Sequence, residues 1–341
     1  MYSDSRIKKK LKELIQDLHL EDIRHNDIMI SGINTNSKYI SNGDLFIAIK
    51  GNNQDGHSYI NDAIKNGASA IISNEKMVSE LDTTVINVED TRKATSIISS
   101  RFYDNPSKDL TVIGITGTNG KTTTAYLLKE CLETAGINTA QIGTTGVIAQ
   151  GYKQEKNLTT PDAVTIQKLL RSLVNDGFTH VVMEVSSHAL HQLRVSNVHF
   201  DVAIFTNLTP EHLDYHKTME DYFKTKSTLF DLLKEKNGKA IINYDDDYGK
   251  KLVSSINYDI TLFSKTDSTK SSFSKINDYK NKIDGIIKSD KSSYKIKSNL
   301  IGEYNLENIL AAVTTLDSLK INENAIIEGI KNCRKVPGRL E

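Results

Sequence analysis

The pattern of hydrophobic and polar positions changes near residue 107. Before that point, apolar positions at helical spacing over 6–19 predict a surface helix. Further helices are predicted at Tyr59–Asn66, which is followed by Gly67 as a C-cap, and at 91–103. Short aliphatic runs predict strands at Ile28–Ile30, Leu45–Ile49, Ala70–Ile72 and Val85–Val88.

After Asn105-Pro106-Ser107, predicted strands alternate with predicted helices. Leu110–Thr116 is apolar and β-branched, as expected for a strand that is buried on both faces of a parallel sheet. The later strands are predicted at 138–142, 180–185, 201–206, 239–243 and 259–263, and the helices at 121–135, 162–175, 218–235, 305–319 and 323–332. Residues 264–298, rich in Ser and Lys, predict short exposed strands or a hairpin. The alternation predicts a mostly parallel, doubly wound α/β domain.

These breaks predict two domains in the 341-residue chain, as expected at roughly 100–200 residues per domain. The predicted boundaries are 1–107 for a first domain, 108–336 for a second, and 337–341 for the start of a linker.

Composition narrows the class of protein. The chain is 38% hydrophobic and 25% charged, which is typical of a globular protein. Lys+Arg and Asp+Glu both number 43, so a broad basic surface for nucleic acid is not indicated. Cys131 and Cys333 lie outside any CxxC or His cluster, which argues against a disulfide framework or a zinc site and fits a reducing cytosol. The N-terminus has no apolar region typical of a secretory signal, and no run reaches the ~18–20 apolar residues of a membrane span. We therefore expect a cytoplasmic chain and no membrane partner.

A glycine-rich turn separates the predicted strand Leu110–Thr116 from the predicted helix 121–135. In that context, backbone N–H groups and the positive end of the helix favour a phosphate anion. Lys121 is placed to reach the outer phosphates, and Thr122 to offer its hydroxyl to Mg²⁺. The turn departs from the strict Walker A pattern at Ile115, and a glycine-rich turn without a ligand is the alternative. It consists of Gly117, Thr118, Asn119, Gly120, Lys121, Thr122 and Thr123.

A second group of polar residues follows the next predicted strands. Glu184 ends the strand 180–185, at the carboxyl edge where α/β sheets bind ligands, and a carboxylate there can hold Mg²⁺. An N-cap or a hydrogen-bonded edge carboxylate is the alternative. Residues 206–216 contain His212 and His216 among acidic neighbours, which suits a metal or catalytic site.

Three motifs, in this order along the chain, resemble the Mur ligase family. They are the loop Gly117–Thr123, then Glu184-Val185-Ser186-Ser187-His188, then His212-Leu213-Asp214-Tyr215-His216. Two further segments resemble the members that add the third amino acid to a UDP-linked muramoyl peptide. Asn42–Phe46 with Asp55-Gly56-His57 is similar to their UDP-binding first domain, and Thr159-Thr160-Pro161-Asp162 to their muramoyl-peptide loop.

The resemblance implies a small N-terminal α/β UDP-binding domain followed by a doubly wound, mostly parallel P-loop ATPase domain. It also implies a reaction. ATP phosphorylates the free carboxylate of UDP-N-acetylmuramoyl-L-alanyl-D-glutamate, and the amine of meso-diaminopimelate or L-lysine then displaces the phosphate. The implied cofactors are ATP and Mg²⁺, the partners are these small molecules, and the implied state is a monomer.

Roles of single residues follow from the same resemblance. Lys121 would bind the β- and γ-phosphates, Thr122 and Glu184 would hold one Mg²⁺, and His212 would hold a second. Lys226 matches a lysine that is carbamylated in the family and ligates metal. Together with the loop, these are the predicted catalytic and metal-binding residues.

The remaining implied contacts concern the substrate and the adenine. The substrate-binding set is Ser37, Thr159, Thr160, Ser186, Gln192 and Arg194, and the nucleotide-binding set also includes Asn305, Asn308 and Arg339. The chain departs from the family at Asn36-Ser37-Lys38, where Asp-Ser-Arg is frequent. This leaves the roles of the neighbours of Ser37 in doubt.

The family has a third domain after its Pro-Gly-Arg linker, and this sequence stops at Glu341. We therefore expect the polypeptide alone to bind nucleotides but to ligate poorly. The alternatives are a folylpolyglutamate-type ligase, against which residues 28–90 argue, a non-catalytic nucleotide-binding module and a generic kinase.

Overall fold

The protein is described by a computed structural model, which covers residues 7–16, 18, 27–51, 54–75, 83–154, 158–267, 270–289 and 292–333. The chain divides into two compact units. The first unit contains Met1–Pro106, Asp162–Ser172 and Gln192–Val198, and the second contains Ser107–Pro161, Leu173–His191 and His199–Glu341. Two segments from the middle of the chain thus belong to the first unit, which the sequence did not predict. The boundaries 1–107, 108–336 and 337–341 remain predictions.

The first unit is built on a parallel sheet. Its elements are β1 (Lys9–Lys10), α1 (Leu11–Ile15), β2 (Met29–Ile30), β3 (Gly32–Asn34), β4 (Asp44–Ile47), α2 (Ile60–Lys65), β5 (Ala70–Ser73), β6 (Thr84–Asn87) and α3 (Thr91–Phe102). Within the described ranges, β3, β4, β5 and β6 pair in that order, all parallel, and β1 pairs antiparallel with β2. Every residue of β4 and β5 is buried, as the aliphatic runs predicted.

The remaining elements form a larger α/β arrangement, although the helix Ala163–Asn175 is divided between the two units at Ser172. Its elements are β7 (Thr111–Thr116), α4 (Lys121–Thr134), β8 (Thr139–Gly143), β9 (Gly146–Ile148), α5 (Ala163–Asn175), β10 (His180–Glu184), α6 (Ser187–His191), β11 (Val202–Phe205), α7 (Leu213–His216), α8 (Met219–Ser227), β12 (Lys239–Asn243), α9 (Asp247–Val253), β13 (Asp259–Phe263), β14 (Ser272–Asp278), β15 (Ile283–Lys288), β16 (Ser293–Ser298), α10 (Tyr304–Ser318) and α11 (Glu323–Asn332). In the described part, the sheet order is β13-β12-β11-β7-β10-β8-β9, with β9 as the antiparallel edge strand. The predicted α/β class with a mostly parallel sheet is confirmed.

The main core of the second unit lies between this sheet and α4, α10 and α11. Ile113 and Ile115 of β7 pack in one cluster with Leu128, Leu310 and Ile326 from the three helices. Burying such aliphatic side chains supplies roughly 1.5–3 kcal/mol each, and the cluster therefore anchors the start of α4 at the end of β7. Both cysteines are buried free thiols, as expected.

Two sequence predictions need correction. The helix predicted over 218–235 ends as α8 at Ser227, where the hydroxyl groups of Ser227 and Thr228 donate to the carbonyl oxygens of Phe223 and Thr225. The segment 264–298 is not simply exposed. Its strands β14, β15 and β16 form an antiparallel sheet, one face of which adds buried aliphatic and aromatic side chains to the core. Those residues are Ile283, Ile287, Tyr294 and Ile296.

A buried glutamine in β8 gives a test of this core. Gln141 is fully buried and pairs in register with the core residue Val182. Neither atom of its amide has a hydrogen-bond partner in the described part of the chain. We expect Gln141→Met to raise the free energy of unfolding by about 1–2 kcal/mol, because it removes an unsatisfied polar group at similar volume. Urea denaturation measures the change.

Gln167 of α5 is the matched control for this substitution. It is equally buried, but its amide nitrogen donates to the carbonyl oxygen of Asn197 at 3.1 Å. Gln167→Met therefore loses a hydrogen bond, and its gain in stability should be smaller or absent. A larger loss for Gln141→Met than for Gln167→Met would contradict this account.

Candidate active site

The phosphate loop connects the end of β7 to the start of α4. Gly117 and Gly120 have φ angles of 145° and 87°, a region that L side chains rarely adopt. A Cβ atom at Gly117 would lie 2.0 Å from Thr206 Oγ1, and one at Gly120 would lie 2.3 Å from Asn308 Oδ1. Both positions therefore require glycine, for conformation and for space.

The end of β11 fixes the shape of this loop. The backbone N–H of Asn119 donates to Asn207 Oδ1 at 2.9 Å, and that of Thr118 donates to the Asn207 carbonyl oxygen at 2.9 Å. Thr206 Oγ1 donates to the carbonyl oxygen of Asn119 at 2.6 Å. The loop is thus preorganised by a neighbouring strand.

Lys121 is the first residue of α4, and its side chain lies over the loop. Its Nζ donates to the carbonyl oxygens of Gly117 at 2.9 Å and Thr118 at 2.8 Å. A cation held there, at the positive end of a helix, favours a polyphosphate. Thr123, in the same first turn, is buried.

Thr122 and Glu184, which were predicted to hold one Mg²⁺, are in direct contact. Glu184 is fully buried at the end of β10, and its Oε2 accepts a hydrogen bond from Thr122 Oγ1 at 2.8 Å. It also accepts from the Thr144 backbone N–H at 3.1 Å and from Thr144 Oγ1 at 3.2 Å. Hydroxyl and carboxylate oxygens are the ligands that Mg²⁺ prefers, so this donor set fits the expected ion.

The muramoyl-peptide loop predicted from the sequence lies beside this carboxylate. Thr160 Oγ1 donates to the Glu184 carbonyl oxygen at 2.8 Å and accepts from the Ser186 backbone N–H at 3.0 Å. The hydroxyl groups of Thr159 and Thr144 are 3.2 Å apart. The structure therefore brings Thr159, Thr160 and Ser186 together at the proposed metal position.

Lys226 of α8 is buried, with 1% of its surface exposed, and it contacts the same loop. Its Nζ donates to the Gly117 carbonyl oxygen at 2.8 Å and lies 4.7 Å from the centroid of the Tyr222 ring. Burial, and next the positive charge of Lys121, hold the pKa of Lys226 well below its usual value. The environment of Lys226 therefore disfavours its charged form.

His212 precedes α7 in a left-handed backbone conformation, with a φ angle of 56°. Its side chain is 43% exposed, and its Nε2 lies 3.8 Å from Glu211 Oε2. Its ring centroid is 4.9 Å from that of His188 and 6.3 Å from that of Tyr222. Within the described ranges, none of these side-chain contacts of His212 is with Thr122 or Glu184.

His216, at the end of α7, is buried and stacks on Tyr222 with ring centroids 5.0 Å apart. Its Nε2 lies 2.9 Å from Ser187 Oγ. Burial first, and then the charges of His188 and His191, lower the pKa of His216 to about 4. The protein therefore keeps this imidazole neutral where a free histidine would bind a proton.

This shift predicts a loss of stability in mild acid. The unfolded chain protonates His216 near pH 6.5, whereas the folded protein resists protonation down to about pH 4. Stability is therefore full above pH 6.5 and declines as the pH falls towards 4. We expect a contribution of about 2 kcal/mol between pH 7 and pH 5, measured by urea denaturation.

The variant His216→Gln should flatten that pH dependence. His191, which is exposed and contacts the Tyr215 hydroxyl at 2.8 Å, is one of the groups that lower the pKa of His216, so His191→Gln should reduce the pH dependence only in part. Equal slopes for His216→Gln and the wild-type protein would show that another group titrates.

The first turn of α10 lies beside the phosphate loop. Asn308 Oδ1 is the atom that a side chain at Gly120 would meet, and it lies 3.5 Å from Thr124 Oγ1. Asn308 Nδ2 donates to Asn305 Oδ1 at 2.9 Å, and Asn305 Nδ2 donates to the Ile301 carbonyl oxygen at 2.8 Å. The two predicted adenine contacts thus adjoin the loop. The predicted contact at residue 339 lies outside the described residues.

The first unit contains a cavity of about 510 Å³. Ser37, which is buried, and Gln192 both line it. Arg194 donates to Gln192 Oε1 from Nε at 3.1 Å and from Nη2 at 2.6 Å. The guanidinium of Arg194 thus holds the amide of Gln192, and the substrate contact predicted for Arg194 stays a prediction.

Two segments match known protein domains. Residues 29–103 match the catalytic domain of the Mur ligase family, and residues 115–316 match the Mur ligase middle domain, which alone covers more than half of the chain. The chain belongs to the Mur ligase family. It is 39% identical over 340 residues to the UDP-N-acetylmuramoyl-L-alanyl-D-glutamate--2,6-diaminopimelate ligase of Clostridium perfringens, over 97% of this chain and 68% of that protein.

The fold of this Mur ligase is also similar to solved structures of other Mur ligases. A UDP-N-acetylmuramoyl-L-alanyl-D-glutamate--2,6-diaminopimelate ligase has a TM-score of 0.84 at 26% identity, over 98% of this chain and 68% of that one. A MurF ligase from Thermotoga maritima in complex with ADP has a TM-score of 0.62 at 25% identity, over 90% of this chain and 67% of that one. This Mur ligase spans about two thirds of the length of the proteins that it resembles. In the ranges that the structure describes, none of its helices has the length and apolar character needed to cross a membrane.

Sequence reasoning missed several residues that shape this Mur ligase site. Thr144 donates two hydrogen bonds to Glu184. It follows β8 directly, and this position at a strand end could have identified it from the sequence. Tyr222 contacts Thr118, Lys226 and His216, but its place on a predicted surface helix gave no signal. Asn207 organises the loop from a strand end that the sequence analysis did identify.

Proposed function

We propose that this Mur ligase joins 2,6-diaminopimelate to UDP-N-acetylmuramoyl-L-alanyl-D-glutamate at the expense of ATP. One observation carries the proposal. The Thr122–Glu184 hydrogen bond joins the glycine-rich loop to the strand end beside the hydroxyl groups of Thr160 and Ser186, which supports a site where a triphosphate and a substrate acid meet. The choice of diaminopimelate is supported by the name of the relative that is 39% identical.

The chemistry begins with activation of a poor electrophile. A carboxylate oxygen of the substrate attacks the γ-phosphorus of ATP, an O–P bond forms, and ADP leaves. Lys121 and the N–H groups of the loop stabilise the negative charge that builds up on the transferred phosphoryl group. The amine nitrogen of the diamino acid then attacks the acyl carbon, the C–N bond forms, phosphate leaves, and the nitrogen loses a proton.

Thr122 and Glu184 would hold Mg²⁺, with Thr144 completing the oxygen-rich wall. The ion would supply positive charge that reduces the repulsion between the triphosphate and the substrate carboxylate. Glu184 is suited to this role because Thr122 and Thr144 orient both of its oxygens. We assign His212 to a second ion, since it is an exposed imidazole beside the Glu211 carboxylate.

Lys226 is proposed to carry a carbamate. In its neutral form the amine can add to CO₂ and lose one proton, which converts it into a group with carboxylate-type oxygens for metal. The low pKa of Lys226 and its contact with Gly117 support this assignment. Mass spectrometry of the intact chain, prepared with and without bicarbonate, should detect the adduct. An unmodified Lys226 in both preparations would contradict it.

The substrate and adenine assignments complete the proposal. Thr159, Thr160 and Ser186 would contact the muramoyl peptide, and the cavity with Ser37 and Gln192 would take the UDP part, with Arg194 orienting Gln192. Asn305, Asn308 and Arg339 would contact the adenine nucleotide.

Trapping of the activated acid tests the function. The chain is incubated with ATP, Mg²⁺, UDP-N-acetylmuramoyl-L-alanyl-D-glutamate and hydroxylamine, and both ADP and the hydroxamate are measured. The proposal expects both products, and an amide product when diaminopimelate replaces hydroxylamine. L-lysine in place of diaminopimelate is the specificity control. A chain that binds ATP but neither binds nor activates the muramoyl dipeptide would refute the proposal.

A further inference from the structure

A cluster of metal-ligating side chains lies in the first unit, and the proposed function does not use it. A carboxylate oxygen of Asp55, a ring nitrogen of His57 and a carboxylate oxygen of Glu75 all lie within 4.8 Å of one another. Within the ranges that the structure describes, no other group of three or more His, Cys, Asp or Glu side chains is gathered this closely. Imidazole and carboxylate groups are ligands of Zn²⁺ and of related divalent ions, so this cluster has the chemistry of a metal site.

The sheet of the first unit brings the three residues together. Asp55 and His57 lie in the segment after β4, Glu75 lies after β5, and these two strands are parallel neighbours. Both segments therefore leave the carboxyl edge of the sheet, where α/β proteins bind ligands. Asp55 caps the short helical turn Gly56–Tyr59, and Ser73 Oγ accepts from the Glu75 backbone N–H at 3.0 Å. Local hydrogen bonds thus fix the backbone of both segments.

His57 is the residue whose surroundings point to a ligand. Its side chain is buried, with 8% of its surface exposed, and its Nδ1 lies 2.5 Å from Asp55 Oδ1. Its Nε2 is also buried and has no hydrogen-bond partner in the part of the chain that the structure describes. Buried polar atoms are normally paired, so an unpaired ring nitrogen needs an explanation. A histidine that ligates metal typically donates its other ring N–H to a carboxylate, and Asp55 is placed to accept it.

We propose that His57, Glu75 and Asp55 bind a divalent ion of the zinc type. In this site His57 supplies a ring nitrogen, Glu75 supplies an oxygen, and Asp55 holds the ring and balances the charge of the ion. Three protein groups leave room for water in the remaining coordination positions. The nitrogen ligand favours Zn²⁺ over Mg²⁺ and Ca²⁺, which prefer oxygen ligands. The bound ion would tie the segment after β4 to the segment after β5.

The charge of the cluster suits a cation. Hydrogen bonds from the His57 side chain, and next from its backbone N–H, hold the pKa of Asp55 below its ordinary value, so this carboxylate is ionised at neutral pH. Glu75 brings a second carboxylate to the same place, and because it is exposed, an ion from solvent can reach the cluster. The alternative is a hydrogen-bonded pair of Asp55 and His57 without an ion, and titration with zinc separates the two.

Calorimetric titration of the full chain with ZnCl₂ tests the site. Excess Mg²⁺ is present throughout, so that the magnesium position proposed at Glu184 is filled. We expect the wild-type chain to bind Zn²⁺ and Glu75→Gln to weaken that binding about tenfold or more, because a metal ligand is lost. Glu75 is exposed, so this variant leaves the buried core unchanged. Glu89→Gln, at another exposed acid of the first unit, is the matched control and should bind Zn²⁺ as the wild type does.

Two further variants locate the ion. His57→Gln should lose Zn²⁺ binding, whereas His212→Gln should retain it, because His212 belongs to the second unit. Zn²⁺ should also raise the thermal unfolding midpoint of the wild type more than that of Glu75→Gln, since an ion that binds the folded chain stabilises it.

The contrary results are equally distinct. A wild-type chain that does not bind Zn²⁺ would show that Asp55 and His57 form a hydrogen-bonded pair only. Equal Zn²⁺ affinity in Glu75→Gln and the wild type, or loss of binding in His212→Gln with retention in Glu75→Gln, would show that the ion is held elsewhere. Each of these results overturns the site and leaves the ligase proposal standing, since that proposal is tested by ADP and hydroxamate formation.

Discussion

Lys121→Met is expected to weaken ATP binding to this chain by on the order of 100-fold. The ammonium of Lys121 is held at the start of α4 by the carbonyl oxygens of Gly117 and Thr118, so it is positioned before the nucleotide arrives. A preorganised charge-assisted contact with a phosphate is among the strongest single interactions in such a site. Methionine keeps the length of the side chain and removes the charge. Calorimetric titration with ATP and Mg²⁺ measures the loss.

Lys129→Met is the control for this experiment. Lys129 lies two turns further along α4 and pairs with Glu133 at 2.6 Å, a surface ion pair worth at most about 1 kcal/mol. It should bind ATP as the wild type does. If Lys121→Met and Lys129→Met bind ATP equally well, the loop is a turn without a nucleotide.

Glu184→Gln is expected to abolish most of the gain in ATP affinity that Mg²⁺ provides, on the order of 100-fold. The amide is nearly isosteric with the carboxylate but carries no charge for the ion. It would also place an NH₂ group against the Thr122 and Thr144 donors, which costs about 1–2 kcal/mol of stability. Titration of ATP at low and high Mg²⁺ separates the two effects.

Glu133→Gln, on the exposed side of α4, controls for a general change in charge. Its Mg²⁺ dependence should match that of the wild type. A Glu184→Gln variant whose ATP affinity still rises with Mg²⁺ as in the wild type would mean that the ion is held elsewhere.

The sequence predicted the elements that depend on local pattern. The strand, glycine turn and helix around Lys121 were correct because their spacing and conformational needs are local. The position of Glu184 at a strand end was equally readable, since parallel strands end at one edge of the sheet.

The features that depend on distant packing were not predicted. The burial of Lys226 is an example, because its helix reads as a surface helix until Tyr222 and the phosphate loop cover the amine. The sheet of β14, β15 and β16 is another, since Ser and Lys residues separate the few apolar side chains that reach the core. The segments 162–172 and 192–198 belong to the first unit, and no local sequence pattern predicts this assignment.

The carbonyl oxygen of Gly117 accepts hydrogen bonds from both Lys121 and Lys226. A polyphosphate that binds Lys121 would draw its ammonium group away from this oxygen and screen its positive charge. That charge is one of the causes that disfavour protonation of Lys226. Binding of a polyphosphate to the loop and protonation of Lys226 are then coupled. Each event changes the free energy of the other event by the same amount. The Gly117 carbonyl oxygen therefore links the lysine of the loop to the lysine that is proposed to be modified.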